Sequence, residues 1–245
     1  MCDIDYDIYV NDAFSVLHRE HYSISGMPKS FDKDKVFYGY KFEKDLKELH
    51  KMKECIDRTE CYRTSYSRKL LILGGSKFES KKQYIKKLAK KFDTILIGCP
   101  LTDNDREFIN NINHCNRIEI LDQGEGVNDI NCSGDLLTHC ALDKLKFRID
   151  NHGIVFWNGC LGMYEKQDCR GSLDFMMDMI TVLEDTRTFA ILGGDTIAHC
   201  YNHYLSENMK NVKYQSTAGG AALAYLTGKE MPGLEPLDLS SALID

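Results

Sequence analysis

The sequence predicts an α/β protein in which a parallel sheet is flanked by helices on both faces, with a smaller amino-terminal α/β remnant beside it. Two observations lead to this fold class. Short apolar runs typical of buried strands alternate with segments that have one apolar stripe at helical spacing. Several apolar runs also lead directly into glycine, where backbone amides can come close to a ligand.

Short apolar runs mark the predicted strands. They are DIYV at 7–10, LLIL at 70–73, TILI at 94–97, IEIL at 118–121, IVFW at 154–157 and FAIL at 189–192. Three of them lead directly into glycine, at Gly74, Gly98 and Gly193, and IVFW reaches Gly159 after Asn158. Because parallel sheets bind ligands beyond the carboxyl ends of their strands, these glycines predict where the site lies.

Helices are predicted from apolar stripes between the strands. The stripes consist of Tyr84, Ile85, Leu88, Ala89 and Phe92, then Leu173, Met176, Met177, Ile180 and Leu183, then Ile197, Tyr201, Tyr204 and Leu205. Residues 27–66 are more charged, and residues 42–52 within them predict an amphipathic connecting helix. Residues 122–150 are polar and typical of a loop.

Composition excludes several functional classes. The 245 residues are 43% hydrophobic, which is enough for a core, and the net charge of −6 provides no basic field for nucleic acid. No apolar run is long enough to span a bilayer, so no membrane association is expected. The ten cysteines form no CxxC pair and no export signal is visible, which predicts free thiols and a cytoplasmic location.

The strongest local motif runs from Leu192 to Thr196, where two glycines end a predicted strand and a helix begins on Asp195 and Thr196. Amides at a helix amino terminus bind oxyanions, and an aspartate there can hold a metal ion. The alternative is that Asp195 only caps a helix after a tight turn. The motif alone does not decide between the two.

Two further glycine pairs precede predicted helices. Gly74 and Gly75 are followed by Lys77 and Lys81, whose ammonium groups are four residues apart and can share one helix face. Gly219 and Gly220 precede another apolar helix. Neither GxxxxGK[ST] nor GxGxxG occurs, which disfavours the common NTPase and dinucleotide folds. A metal site at His199 and His203 is also disfavoured, because a third ligand is lacking nearby.

Taken in order, the motifs resemble those of the phosphoglycerate kinase family. The matching segments are DIYVNDAF at 7–14 with HREHYS at 18–23, LGGSKFESK at 73–81, WNGCLGMYE at 157–165, GGDT at 193–196 and STAGGAALAYLTGKEMPGLEPL at 216–237. The resemblance covers nearly the whole chain. It implies a Rossmann-like nucleotide domain and phosphoryl transfer between 1,3-bisphosphoglycerate and ADP, giving 3-phosphoglycerate and ATP in glycolysis.

The resemblance also implies roles for individual residues. Lys77 would stabilise the transferring phosphoryl group, with Gly194 and Gly219 as further catalytic residues. Nucleotide contacts would come from Lys77, Lys81, Asn158, Glu165, Gly193, Gly194, Asp195 and Thr196. Asp195 would hold the Mg²⁺ that accompanies ATP or ADP, and Arg19 with His18 would bind phosphoglycerate.

The resemblance divides the chain into four ranges. Residues 1–40 would be a remnant of the phosphoglycerate domain, 41–66 a connecting helix and linker, 67–230 the nucleotide domain and 231–245 a tail. Most of the phosphoglycerate domain has no counterpart in this sequence, and one hypothesis for its absence is that Met1 is an internal methionine of a longer chain.

The sequence departs from the family pattern at several glycines and one proline, where it has Cys99-Pro100, Cys160, Leu192 and Ala218. Three alternatives therefore stay open. The protein is an active monomeric kinase with its missing domain upstream, a degenerate relative that binds nucleotide or a protein partner without turnover, or a half-enzyme that needs a separately encoded substrate domain.

Overall fold

The computed structural model describes residues 6–57, 68–113, 118–121, 153–161, 188–194 and 212–239. Its strands are β1 (Tyr9–Asn11), β2 (Val36–Tyr38), β3 (Lys69–Leu73), β4 (Thr94–Ile97), β5 (Ile118–Ile120), β6 (Ile154–Asn158), β7 (Phe189–Gly193) and β8 (Val212–Ser216). Its α-helices are α1 (Tyr40–Asp57), α2 (Glu79–Leu88), α3 (Asp103–Ile112) and α4 (Gly219–Leu226). Short helical turns occupy Phe14–Val16, Tyr22–Gly26, Met27–Ser30 and Lys33–Lys35.

The chain forms two compact units. The terminal unit consists of Met1–Glu54 and Thr217–Asp245, and the sheet unit consists of Cys55–Ser216. Helix α4 packs in the terminal unit together with the amino-terminal segment. From the sequence, residues 217–230 are instead predicted to be part of the nucleotide domain. The physical reason lies in the terminal unit, where the Phe14 ring meets Tyr225 of α4 at a centroid distance of 6.2 Å. The functional division into four ranges stays a prediction.

The sheet unit contains one six-stranded sheet in the order β5-β4-β3-β6-β7-β8, with every described pair parallel. Helices α2 and α3 connect β3 to β4 and β4 to β5. Every residue of β4 and β6 is buried, as expected for inner strands of a parallel sheet covered on both faces. The predicted α/β class with a parallel sheet is confirmed.

Two strands were not predicted from the sequence. β8 has the sequence VKYQS, in which polar Lys213 and Gln215 interrupt the apolar run, as is typical at the edge of a sheet. β2 has three residues within a charged stretch. The predicted strand at 7–10 is observed at Tyr9–Asn11. The predicted helices at 173–183 and 197–205 and the predicted loop at 122–150 lie outside the described residues.

The strand order changes direction between β3 and β6. From β3 the chain moves outward through β4 to β5, whereas from β6 it moves the other way through β7 to β8. At such a switch point the connections leave the sheet on opposite sides and open a crevice beyond the carboxyl ends of the two strands. Topology therefore places a candidate ligand site after Leu73 and Asn158.

A polar cluster joins α2 to α3 in the sheet unit. The Thr102 side chain caps α3, accepting from the amide of Asp105 and donating to its carboxylate at 2.7 Å. Lys82 of α2 also contacts Asp105, at 3.2 Å. The hydrogen bond from the Thr102 hydroxyl is the main reason that the pKa of Asp105 lies below its usual value, with the Thr102 amide and Lys82 adding to it.

We expect Asp105→Asn to destabilise the sheet unit by about 1 kcal/mol at neutral pH, because it weakens a capping box. The lowered pKa means that the stabilising contribution of Asp105 is present above the ordinary aspartate pKa of about 3.9 and is lost as the pH falls through the folded-state value. Urea unfolding of both proteins at several pH values should therefore show curves that converge in acid. Asp103→Asn, in the same first helical turn, is the control, and an equal effect of this variant would contradict the prediction.

The terminal unit contains the parallel pair β1 and β2 with helices α1 and α4. The buried stripe of α1 consists of Phe42, Leu46, Leu49 and Met52, as the spacing at 42–52 predicts. Asp12 accepts from the amide of Phe42 at 2.8 Å and so satisfies a donor near the start of this helix. His50 of α1 hydrogen-bonds the Tyr225 hydroxyl of α4 at 2.9 Å.

Two expectations from composition concern thiols and membranes. Cys99, one of the cysteines that the structure describes, is a free thiol. Within the described ranges, none of the helices has the length and apolar character needed to cross a membrane.

Candidate functional site

The crevice at the switch point is formed by two chain segments whose backbones are in direct contact. After β3, the amide of Gly74 donates to the Asn158 carbonyl at 2.9 Å, and the amide of Gly75 donates to the Cys160 carbonyl. A Cβ atom on Gly159 would lie 2.5 Å from the carbonyl oxygen of Gly74, and Gly159 has a φ of +88°. Glycine is therefore required here so that the ends of β3 and β6 can meet.

The glycine amides of this edge already have backbone partners. Besides those of Gly74 and Gly75, the amides of Gly98, Gly159 and Gly194 donate to the carbonyls of Leu73, Gly193 and Ser216 at 2.8, 3.1 and 2.8 Å. The sequence predicts that these amides approach a ligand, but here they hold neighbouring strand ends together. Among the described residues of this edge, side chains and the start of α2 therefore remain as donors for an oxyanion.

Lys81 supplies such a donor. Its Nζ lies 3.3 Å from the position that a Cβ atom on Gly75 would occupy, so the ammonium group stands directly over the Gly74–Gly75 turn. It also donates to the Lys77 carbonyl at 3.4 Å. The absence of a side chain at Gly75 is what lets the ammonium group come this close to the backbone.

Lys77 is exposed and lies two residues before α2, which begins at Glu79. The sequence places Lys77 and Lys81 on one helix face, whereas in the structure only Lys81 is within the helix. No side chain caps the start of α2, and the first amides of an α-helix have no partner within it. These amides and the two lysines bring positive charge to the same corner of the crevice.

Asn158 and Gly193 lie side by side at the ends of β6 and β7. The Asn158 side-chain nitrogen is 3.1 Å from the position of a Cβ atom on Gly193, and Asn158 is buried. Gly194 follows with a φ of +101°, and a Cβ atom there would be 3.6 Å from the Gly159 amide nitrogen. The structure thus brings the predicted residues Asn158, Gly193 and Gly194 to one edge with Gly75 and Lys81.

The departures from the family pattern have different structural consequences. Cys99 is buried and its thiol donates to the Leu73 carbonyl at 3.6 Å. Burial raises the pKa of Cys99 to about 11 although the charge of Lys81 acts in the opposite direction, so the thiol stays protonated at neutral pH. Leu192, within β7, and Cys160 and Ala218 are also buried, so their side chains belong to the packed interior.

Three predicted site residues, Glu165, Asp195 and Thr196, lie outside the described residues. Asp195 is the predicted ligand of Mg²⁺ and directly follows Gly194 in the chain. In the part of the chain that the structure describes, no three histidine, cysteine or acidic residues cluster as a metal site would require. Mg²⁺ commonly binds through one or two carboxylates together with substrate phosphates, which is compatible with a single protein carboxylate.

A second candidate site lies in the terminal unit around His18 and Arg19. His18 Nε2 is 3.6 Å from the position of a Cβ atom on Gly220, at the start of α4, and its Nδ1 atom is buried with no hydrogen-bonding partner. Burial is the main cause of a lowered pKa for His18, and the positive charges of Arg19, Lys229 and His21 lower it further. A neutral imidazole therefore dominates at neutral pH.

Gly219, predicted as a catalytic residue, has a φ of +48° and open space where a Cβ atom would be. Sequence reasoning did not single out Lys229, whose positive charge acts on His18, although Lys229 lies in the matching segment at 216–237.

Comparison with known proteins gives consistent results. The phosphoglycerate kinase family model matches residues 4–103 and 118–229. The phosphoglycerate kinase of Dictyostelium discoideum is 26% identical over 94% of this chain and 61% of its own length. That of Onion yellows phytoplasma is 28% identical over 93% of this chain and 63% of its own length. The chain thus spans about three fifths of these relatives.

Solved structures show the same fold. Phosphoglycerate kinase from Pyrococcus horikoshii OT3 matches 97% of this chain with a TM-score of 0.67 and 20% identity, over 65% of its own chain. The enzyme from Coxiella burnetii matches 94% with a TM-score of 0.64 and 20% identity, also over 65% of its chain. At 20% identity these structural matches show the fold but not the activity.

Proposed function

The chain belongs to the phosphoglycerate kinase family, and on that basis we propose that it transfers a phosphoryl group reversibly between 1,3-bisphosphoglycerate and ADP. The products would be 3-phosphoglycerate and ATP, as in glycolysis. The relatives from Dictyostelium discoideum and Onion yellows phytoplasma are both named phosphoglycerate kinase, which supports a phosphotransferase. Because the chain spans 61–63% of those two relatives, the activity of this chain is a proposal.

One observation carries the proposal, namely the ammonium group of Lys81 over the Gly74–Gly75 turn at the switch point. Phosphoryl transfer needs little covalent assistance from a protein. It needs alignment of the two oxygens and positive charge beside the transferring group. Lys81, Lys77 and the uncapped start of α2 supply such charge at the crevice beyond β3 and β6.

We assign the nucleotide contacts as follows. Lys81 binds nucleotide phosphates, Lys77 stabilises the transferring phosphoryl group, and Asn158 reaches the phosphate chain. Glu165 would bind the ribose and Thr196 a phosphate, while Asp195 would hold Mg²⁺. When bound, Mg²⁺ neutralises phosphate charge and orients the phosphate oxygens.

No general base is required in this reaction. The acceptor oxygen is an anionic carboxylate in one direction and an anionic phosphate in the other, so it does not need to lose a proton first. The proposed site accordingly uses cations rather than a nucleophile with a base. The neutral, buried thiol of Cys99 has no catalytic role in this scheme.

For phosphoglycerate, we propose that Arg19 and His18 of the terminal unit form the binding site. The guanidinium group of Arg19 is suited to paired contacts with a carboxylate or a phosphate. The neutral imidazole of His18 would hydrogen-bond the ligand through one nitrogen. We further propose that the protein works in the cytoplasm as a monomer.

A second candidate function is nucleotide binding without turnover. It is favoured by the amides of Gly75 and Gly194, both of which donate to backbone carbonyls and so give no hydrogen bond to a phosphate in this arrangement. Turnover needs stabilisation that is greater in the transition state than in the ground state, whereas binding alone can rely on the lysines.

Calorimetry with Mg-ADP and a coupled assay for ATP formation test the proposal together. We expect saturable Mg-ADP binding and ATP formation from 1,3-bisphosphoglycerate that depends on Mg²⁺. Binding without ATP formation would support the second candidate instead. A chain that is folded by circular dichroism but does not bind Mg-ADP would contradict both functions.

A further inference from the structure

The pair of strands in the terminal unit has one covered face. Tyr9 of β1 lies opposite Val36 of β2 in the parallel register. Val36 is buried, and the Tyr9 ring meets that of Phe31 at a centroid distance of 6.1 Å, so this face packs against the terminal unit itself. The next pair in the register is Val10 and Phe37. Because side chains alternate along a strand, this pair points to the opposite face.

That opposite face is apolar and exposed to solvent. Val10 and Phe37 are 53% and 47% exposed. Ile8, which is two residues before Val10 and therefore on the same side, is 57% exposed. We call Ile8, Val10 and Phe37 the open face. Parallel sheets are normally covered on both faces, so three adjacent apolar side chains in solvent mark a face that is made to be covered.

The sheet of the terminal unit is also small. Within the ranges that the structure describes, β1 and β2 form a sheet of two strands. A sheet of this size is marginally stable in water, and it gains stability from a third strand or from a helix packed on its face. The open face and the edges of this sheet are therefore suited to further polypeptide of the α/β class.

The relatives of this chain contain such additional polypeptide. The chain covers 61% of the Dictyostelium discoideum enzyme and 63% of the Onion yellows phytoplasma enzyme, so more than a third of each has no counterpart here. The sequence resemblance predicts that the missing part belongs to the phosphoglycerate domain, to which it also assigns residues 1–40.

A second copy of this chain is a poorer occupant of the open face. Three side chains that are about half exposed present on the order of 300 Å² per copy, whereas a stable interface buries about 1,200 Å² or more in total. A different polypeptide can add a helix on the face and a strand at an edge, and so bury more surface than two copies of the same small face.

We propose that the open face of β1 and β2 binds a separate polypeptide that supplies the missing part of the phosphoglycerate domain. The partner is an α/β chain with an apolar helix stripe for the open face and a strand that pairs with an edge of the two-stranded sheet. Burial of the apolar side chains drives the association, and the added strand fixes its register. Without the partner, this chain stays a monomer. The inference rests on family membership and not on turnover.

Co-purification with parts of two relatives tests this inference. The probes are the parts of the Dictyostelium discoideum and Onion yellows phytoplasma enzymes that have no counterpart here, each produced together with the full 245-residue chain. Size-exclusion chromatography with light scattering should show a one-to-one complex with at least one probe. In that complex, amide hydrogen exchange at residues 8–10 and 36–38 should be slower than in the chain alone.

Charged substitutions locate the contact. Val10→Lys and Phe37→Lys each place an ammonium group on the open face, and its burial against an apolar partner is unfavourable. We expect each to raise the Kd of the complex, measured by surface plasmon resonance, about tenfold or more. Far-UV circular dichroism should not change, because both side chains are exposed in the chain alone.

Tyr22→Lys is the matched control, since Tyr22 is 72% exposed but lies on the other side of the sheet. Tyr9, which points to the covered face, donates to the carbonyl of the adjacent Ser23 at 2.8 Å. This variant should bind the probe as wild type does.

Each other outcome overturns the inference. If neither probe binds, or if Val10→Lys and Phe37→Lys bind as tightly as wild type, the open face is not the docking surface for this partner. An equal loss in Tyr22→Lys has the same meaning. If wild type dimerises alone and Val10→Lys is a monomer, the face belongs to a second copy. A complex that forms ATP in no condition contradicts the proposed function but leaves the docking surface in place, so the two can be told apart.

Discussion

Gly159→Ala is expected to destabilise the sheet unit by about 3 kcal/mol or more. A methyl group at this position would lie 2.5 Å from the carbonyl oxygen of Gly74, which real Cβ atoms do not tolerate. The Gly74 oxygen cannot simply move aside, because Gly74 donates its amide to Asn158 and is held in the β3–β6 contact. The end of one strand would have to separate from the other.

Gly75→Ala is the matched control for this variant. Gly75 has a φ of +89° against +88° for Gly159, so alanine suffers the same backbone strain at both positions. The nearest atom to a Cβ on Gly75 is Lys81 Nζ at 3.3 Å, and a flexible side chain can yield. We expect a loss of about 1–2 kcal/mol, which isolates the cost of the steric clash at Gly159.

The single tryptophan makes the comparison measurable. Trp157 is buried, and its indole nitrogen donates to the Gly159 carbonyl at 2.9 Å, so its fluorescence reports on this edge of the sheet. Urea titrations of the two variants and wild type, followed at Trp157, give the free energy of unfolding of this unit. Equal losses at both glycines would contradict the close approach of the two strand ends.

Lys81→Met is expected to have the largest effect on ligand binding, raising the Kd for Mg-ADP by about 10- to 150-fold. The variant retains an unbranched side chain but removes the ammonium group that stands over the Gly74–Gly75 turn. The glycine amides beneath it are engaged with the backbone, so they cannot take over the lost hydrogen bonds to phosphate. Calorimetry measures the Kd directly.

Lys86→Met provides the control, because Lys86 lies on the same helix but is exposed near its carboxyl end. It should bind Mg-ADP as wild type does. Unfolding midpoints of both variants should match that of wild type, since the change at position 81 concerns a ligand and not the core. If the two variants bind Mg-ADP equally well, the crevice at the switch point is not the nucleotide site.

Much of the fold could be predicted because its inner strands carry a simple physical signal. LLIL, TILI, IVFW and FAIL are continuous apolar runs, and strands buried on both faces require such runs. β8 was not predicted because it lacks such a continuous run, since polar residues interrupt its apolar ones. β2 was not predicted because a strand of three residues is too short to show a hydrophobic periodicity.

The motifs also predicted which residues meet at the carboxyl edge, but not how their backbone groups are used. A glycine at the end of a strand can serve two purposes. It can let a backbone amide approach a ligand, or it can let two strand ends pack against each other. In the structure, Gly74 and Gly159 are needed for contact between β3 and β6. That distinction depends on the distance between two segments far apart in the chain, which no local pattern contains.

The sequence by itself therefore determined the α/β class, the inner strands, the family and the candidate residues Lys77, Lys81, Asn158 and Arg19. Hydrophobic periodicity and ordered motifs are local properties, so they can be recognised in the sequence without knowledge of the fold. Only the tertiary structure decided that the amide of Gly75 is occupied, that Lys81 stands above it, and that α4 packs with the amino-terminal segment. Only folding brings His18 next to Gly220, because contact between distant residues is set by how the elements pack and not by their spacing.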